Sequence, residues 1–226
     1  MQADNMARFF QHLFNRGTKL TDEQLMWRFA GTGDGEAFRL LHERWHAPIF
    51  RLCVRMTGDE HRAEDLRQET FARVFRFGRE FENGRKFSTW LWRIALNLCH
   101  DELRRRQRRP ELALATTDSA EDSVRVEEPM CDGPSPAQQL ETGERHAAVR
   151  TALLELPEHY RSVVVLRHYE NLKFAEIAEA LAIPEGTVKS RMAEALKQLN
   201  ARLASLELPA AATRTKHFQN SQAACL

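Results

Sequence analysis

The stretch from Pro110 to Glu144 decides how this chain can fold. Nine carboxylates stand there (Glu111, Asp118, Glu121, Asp122, Glu127, Glu128, Asp132, Glu141 and Glu144) against the single Arg125, with Pro110, Pro129, Pro134 and Pro136 between them. With so few bulky apolar residues, the stretch cannot bury enough surface to offset the entropy of ordering. The reading is a flexible acidic linker over 110–140 joining two folded units, 20–109 and 141–205, with an N-terminal extension, 1–19, and a C-terminal tail, 206–226, outside them. A coil of that length has a typical end-to-end distance of about 30 Å and reaches roughly 100 Å at full stretch. Two heads so tethered can hold sites several tens of ångströms apart.

Charge of the other sign lies just before the linker. From Gly84 to Arg109 eight bases (Arg85, Lys86, Arg93, Arg104, Arg105, Arg106, Arg108 and Arg109) face only Asp101 and Glu102, so the formal net charge of +1 averages over opposites. Only 10 glycines in 226 residues, with abundant Leu, Ala, Arg and Glu, disfavour strands, and the fold class expected is all-α. No run approaches the roughly 18 apolar residues of a membrane span, and the first residues lack a cleavable apolar leader, so the protein is expected in the cytoplasm. Cys53, Cys99, Cys131 and Cys225 lie far apart with no CxxC pair, which argues against a zinc ribbon or a redox dithiol. No metal or cofactor is expected.

In the first unit, Thr21 and Gln24 form a capping box for a helix that runs to about Ala30, and Asp34 caps the next. That second helix spaces Phe38, Leu41, Trp45, Ile49, Leu52 and Met56 by threes and fours, with a kink expected at Pro48 and an end at Gly58. Asp59 caps a third helix that turns Ala63, Leu66, Thr70, Val74 and Phe77 to the core and Asp65, Gln68, Glu69 and Ala72 to another side. A solvated face and a protein-docking face both fit those polar residues. The fourth helix, STWLWRIALNLCHDELRRRQRR, buries Leu91, Ala95 and Leu98 and shows Trp90, Arg93, Asn97, His100 and Arg104 across from them. An aromatic ring, an amide and arginines on one stripe suit single-stranded nucleic acid: the ring stacks on an unpaired base, the amide reads a base edge and the arginines neutralise phosphates. A tryptophan half-buried against the third helix, with arginines in water, fits the same pattern.

In the second unit, a helix over 144–156 ends at Pro157, and EHYRSVVVLRHYEN carries an apolar cluster of Tyr160, Val163, Val164 and Leu166, closed by Asn171. Phe174, Ile177, Ala178 and Leu181 then form one short helical face before a break at Ile183 and Pro184. The last helix turns Val188, Met192, Ala195, Leu196, Leu199 and Leu203 inward and shows Thr187, Ser190, Glu194 and Lys197, flanked by Lys189 and Arg191. A helix that opens with Pro184, Gly186 and a hydroxyl and basic run matches the recognition helix of a helix-turn-helix, which enters the major groove by its N-terminal end. A generic helical hairpin gives a similar pattern.

Over most of residues 20–205 the chain resembles the extracytoplasmic-function group of bacterial sigma factors in the sigma-70 family. AEDLRQETFARVF is similar to that family's helix that docks on core RNA polymerase, FSTWLWRIALNLCHDELRRRQRR to its segment that melts and reads the minus-ten element, and FAEIAEALAIPEGTVKSRM to its minus-thirty-five reader. The resemblance implies docking through Asp65, Gln68, Glu69 and Phe71, with the beta-prime clamp and the beta flap as partner surfaces. It implies a pocket for a flipped base at Phe81, Ile94 and Asn97, on the same helix as Trp90, Arg93, His100 and Arg104. It further implies major-groove and phosphate contacts by Thr187, Lys189, Ser190 and Arg191 beside Glu194 and Lys197, with Arg167 and Lys173 as backbone clamps. Promoter DNA, duplex and single-stranded, and core RNA polymerase are the implied partners, and the implied role is non-enzymatic. For the amphipathic extension MARFFQHLFNRG an extra helix or an anti-sigma contact stays open. A conventional helix-turn-helix regulator explains the second unit but leaves the fourth helix without a task. A nuclease lacks a third ligand or base to complete either Glu176 with Glu179 or His42 with His46.

Overall fold

A computed structural model describes residues 20–81, 84–108 and 136–205. The extension, most of the linker, the tail, Cys131 and Cys225 lie outside the described residues. Every regular element among the described residues is helical. Helices α1 (Asp22–Thr32), α2 (Gly35–Thr57), α3 (Glu60–Phe77) and α4 (Phe87–Arg108) build the first unit, with a 3-10 turn at Gly78–Glu80. Helices α5 (Pro136–Glu155), α6 (Glu158–Val164), α7 (Phe174–Leu181) and α8 (Glu185–Ser205) build the second, and a π turn at Val165–Tyr169 prolongs α6.

The boundaries follow local chemistry. Thr21 and Gln24 close their capping box at 3.3 and 2.9 Å, Asp34 accepts from the N–H groups of Glu36 and Ala37, and Asp59 accepts from that of Arg62 at 2.9 Å. Each satisfies amides that a helix start leaves unpaired. Gly33 and Gly58 take the left-handed conformation, φ 69° and 72°, that lets the chain leave α1 and α2. Helix α2 runs through Pro48 without a break. In the second unit Asn171 and Ala182, both at φ 54°, make the turns on either side of α7. Helix α5 begins at Pro136, inside the segment read as linker. Proline at a first helical position loses no hydrogen bond, because that N–H has no partner in any helix.

Two side chains read as inward and one helix start differ from the expectation. Phe77, assigned to the core, is 40% exposed, and Phe71 is buried instead. Leu196, expected on the inner stripe of α8, is 42% exposed. Pro184 stands one residue ahead of α8, where its carbonyl accepts from Thr187 and Val188.

The two units pack against each other and share one hydrophobic core. Helix α4 therefore buries more than the expected stripe: Trp92, Leu96 and Cys99 are buried as well as Leu91, Ala95 and Leu98. Arg161 of α6 crosses the contact, its guanidinium donating to the carbonyl oxygens of Met56 in the first unit and of Leu154 and Leu156 in the second. A Cβ on Gly58 would lie 2.8 Å from Leu154 Cδ1, so the C-terminus of α2 approaches α5 closely because the residue there is glycine. Cys53 and Cys99 meet in the core with sulfurs 3.7 Å apart, and the hydrogen bond with the neighbouring thiol, followed by burial, pushes the Cys99 thiol well above its ordinary range. A thiol held protonated and out of water is a packing group, not a nucleophile.

Candidate nucleic-acid and polymerase interfaces

The outer side of α3 exposes Asp65, Gln68, Glu69 and Ala72. Arg62 pairs with Asp65 at 3.3 Å, Glu64 accepts from Gln68 at 2.8 Å, and Arg73 pairs with Glu69 at 2.9 Å, all within the helix. Such exposed pairs contribute little to stability and are readily exchanged for a partner's groups. Phe71 is not on this side. Its ring is 5% exposed and meets His42 at 4.6 Å and Phe38 at 6.5 Å between centroids, so it fastens α3 to α2, because its helical position faces inward. Phe75, which sequence reasoning passed over, is 61% exposed and continues the outer side one turn past Ala72. Its spacing of seven from Gln68 was the available signal.

On α4, Arg93, Asn97 and Arg104 are exposed, and Trp90 and Ile94 are half-buried. The Trp90 indole lies on Phe81 at 5.3 Å and Phe87 at 6.1 Å between centroids, so it is half-buried against these two rings. Phe81 is 7% exposed, a floor beneath Trp90 and not an open stacking face. His100 departs from the expected stripe. Its Nε2 lies 2.7 Å from Ser162 Oγ, whose hydroxyl donates to the Glu158 carbonyl, so the imidazole is the donor to Ser162. Burial holds its pKa below the ordinary imidazole range. Arg104 Nε lies 3.4 Å from Glu158 Oε1. Both residues face the second unit because it covers that side of the helix.

In the helix-turn-helix, Lys189, Ser190 and Lys197 are exposed, and Thr187, Arg191 and Glu194 are half-buried. Lys189 pairs with Glu185 at 2.7 Å, Ser190 donates to the Thr187 carbonyl at 3.0 Å, and Glu194 accepts from Gln198 at 3.0 Å. Arg167 donates to the Leu172 carbonyl at 2.9 Å and lies over the Phe174 ring at 5.2 Å, which braces the turn into α7. Lys173 is exposed, and its N–H is capped by Glu176 at 2.9 Å. Glu176 also pairs with Lys86 of the first unit at 2.5 Å, so this carboxylate has a structural role that sequence spacing did not disclose.

The family model of sigma-70 region 2 matches residues 41–109, and that of sigma-70 region 4 matches residues 146–199. The chain belongs to the extracytoplasmic-function group of the sigma-70 family. It is 37% identical over 175 residues to the ECF RNA polymerase sigma factor SigW of Bacillus subtilis, covering 77% of this chain and 92% of that one. It is 34% identical over 189 residues to the RNA polymerase sigma-H factor of Pseudomonas aeruginosa, covering 84% and 97%. The solved structure of CnrH in complex with the cytosolic domain of CnrY shares the fold at a TM-score of 0.58 and 22% identity, over 82% of this chain and 99% of that one. That of RpoE from Bartonella quintana in complex with the anti-sigma factor NepR does so at 0.55 and 21%, over 75% and 98%. A sigma factor directs core RNA polymerase to promoters. No helix among the described residues is long and apolar enough to cross a membrane.

Proposed function

We propose that the sigma factor divides promoter recognition between its two units, 20–109 and 136–205, and that its residues act as follows. The outer side of α3 docks on the beta-prime clamp of core polymerase through Asp65, Gln68 and Glu69, and the second unit meets the beta flap. Trp90, Arg93, Ile94 and Asn97 hold the non-template strand of the melted minus-ten element above the Phe81 floor. Thr187, Lys189, Ser190 and Arg191 enter the major groove of the minus-thirty-five element, with Lys173 and Lys197 near the phosphates and Arg167 keeping the turn in shape. The supporting observation is the juxtaposition on α4 of an exposed amide and guanidinium, Asn97 and Arg93, with an indole resting on a buried phenyl ring. Flipping a base out of the stack costs a few kcal/mol, which a pre-shaped aromatic pocket with hydrogen-bond donors recovers. The protein supplies no catalytic group in this scheme, and nucleotidyl transfer belongs to the polymerase, in the cytoplasm. CnrH and RpoE were each solved with a bound regulator, and an anti-sigma protein is proposed as a partner of this chain too.

Transcription in vitro with purified core enzyme and a promoter library tests the scheme. With a promoter so identified, Asn97→Ala is expected to lower permanganate reactivity of the minus-ten thymines several-fold while duplex binding stays within about twofold. Equal loss of both would refute the pocket.

A further inference from the structure

His42 and His46 lie one turn apart on α2 with their rings stacked, centroids 5.6 Å apart and planes at 14°. His42 is half-buried, its ring against Phe71 of α3 at 4.6 Å, and His46 is exposed. Two histidines at i and i+4 share one face of a helix, the arrangement by which helical metal sites offer two imidazoles to one ion. Spacing alone does not say which nitrogen each ring presents. His46 Nδ1 lies 3.0 Å from the Glu43 carbonyl oxygen and 3.2 Å from that of His42. A carbonyl only accepts, so Nδ1 carries the proton and Nε2 keeps its lone pair. On His42, Arg67 Nη1 lies 3.5 Å from Nε2, and a guanidinium only donates, so there too Nε2 is the acceptor.

Both rings thus present the same nitrogen as a lone pair, and His46 is oriented through its other N–H by backbone carbonyls, as metal-ligating histidines are. With metal–nitrogen bonds of about 2.1 Å, two imidazoles on one tetrahedral ion have centroids roughly 5 Å apart. The observed separation needs little adjustment, and exposed His46 can make it. A cation already stands at this place: the Arg67 guanidinium, with Glu64 at 2.9 Å. The carboxylates of Glu43 and Glu64 lie near enough to act on the charge of His42 and favour a positive ion there. Among the described residues no group of three or more His, Cys, Asp or Glu is arranged to hold a metal, so water fills the rest of the shell. Two protein ligands without a base make a regulatory site, not a catalytic one.

We propose that Nε2 of His42 and Nε2 of His46 chelate one divalent transition-metal ion of the kind imidazole prefers, Zn²⁺, Ni²⁺ or Cu²⁺, and that this ion weakens docking of α3 on core polymerase. The ion takes the lone pair that Arg67 faces and repels its guanidinium. Arg67 donates to Glu64, and Glu64 accepts from Gln68 at 2.8 Å, so the displacement reaches a docking residue through two contacts. This coupling rests on the reading of α3 as the docking helix; the metal site itself does not.

Zn²⁺ added to the full-length protein in reducing buffer at about pH 7.5, where imidazoles are mostly neutral, is the first test. Nitrogen NMR of the imidazoles is expected to show the Nε2 signals of His42 and His46 shifting together, with Mg²⁺ leaving both in place. By calorimetry, His46→Gln should weaken the site at least about tenfold, whereas His61→Gln, which alters an exposed histidine of α3, should bind Zn²⁺ as the parent does. Zn²⁺ at saturation should reduce capture of the parent by core polymerase about three- to tenfold and leave capture of His46→Gln within about twofold, the variant also controlling for zinc on the polymerase. The proposal is overturned if Zn²⁺ shifts neither signal, if His46→Gln binds it as tightly as the parent, or if it changes capture of both proteins equally. Failure of the docking reading shows separately and without metal: unchanged capture of Asp65→Ala with Gln68→Ala removes that reading and leaves the zinc spectra as they are.

Discussion

Gly58 does two jobs at one position: it turns the chain out of α2 at φ 72°, and it lets Leu154 of the other unit come within what would be 2.8 Å of a Cβ. Gly33 has nearly the same conformation, φ 69°, with open space around it. Alanine at Gly33 is expected to cost about 1 kcal/mol and alanine at Gly58 roughly 2 kcal/mol by urea unfolding, the excess reporting the contact with Leu154. Equal losses would show that the approach of α5 to Gly58 carries no weight. His100 gives a second readout. Its pKa in the packed protein is lowered chiefly by burial, with Arg104 and Arg191 acting in the same direction and Glu158 and Asp101 opposing. The unfolded chain therefore binds the imidazole proton more tightly, and this contribution to stability is complete above pH 6.5 and is lost as pH falls toward the lowered value. His42, depressed by burial and by Arg67, acts with the same sign. Glu170, raised by burial, acts with the opposite sign but in the window above 4.5. Between about pH 7.5 and pH 6 the protein should lose stability, and His100→Gln should flatten part of that slope. A variant with the slope of the parent would mean that His100 is not buried in solution.

Helices α3 and α4 show how one period can serve two surfaces. Both turn apolar residues to the core of the first unit, but α3 leaves its outer side to carboxylates, an amide and Phe75, whereas α4 divides the rest of its circumference between the second unit and a polar, aromatic stripe. The pairs on α3 are exposed and local, so removing them costs the helix little. Asp65→Ala with Gln68→Ala is expected to reduce capture by core polymerase at least about tenfold while circular dichroism and unfolding midpoint stay as in the parent. Unchanged capture would remove the docking role from this face. In the second unit the short α7 lies between two left-handed turns at Asn171 and Ala182, a conformation that asparagine takes readily and that costs alanine about 1–2 kcal/mol.

At the scale of the molecule, the packed state stands on Arg161. Its guanidinium satisfies carbonyls from α2, from α5 and from the turn after α5. Truncation to Ala leaves all three without that donor, a loss of about 2–4 kcal/mol. Because the apolar core is continuous across both units, the intact protein should melt in one calorimetric transition. Arg161→Ala should split it into two, the first belonging to the second unit. A single, merely shifted transition in that variant would mean that apolar contacts alone hold the units together.

The helices, their caps and most inward faces were legible in the sequence because they depend on local rules: a capping box at Thr21, asparate caps at Asp34 and Asp59, glycine turns at Gly33 and Gly58, and apolar spacing by threes and fours. The family, too, was legible, from three motifs in order. What periodicity could not give was anything set by a partner distant in sequence. It placed His100 and Arg104 toward DNA because a helical projection has no knowledge of Ser162 and Glu158. The family resemblance placed Phe71 with the docking residues and periodicity missed Phe75, because neither says how far the neighbouring helix wraps around α3. Composition and spacing determined two helical bodies and a charged tether. Only the tertiary structure decided that the bodies are held together, since that depends on burial and on ion pairs such as Lys86 with Glu176, across 90 residues of chain.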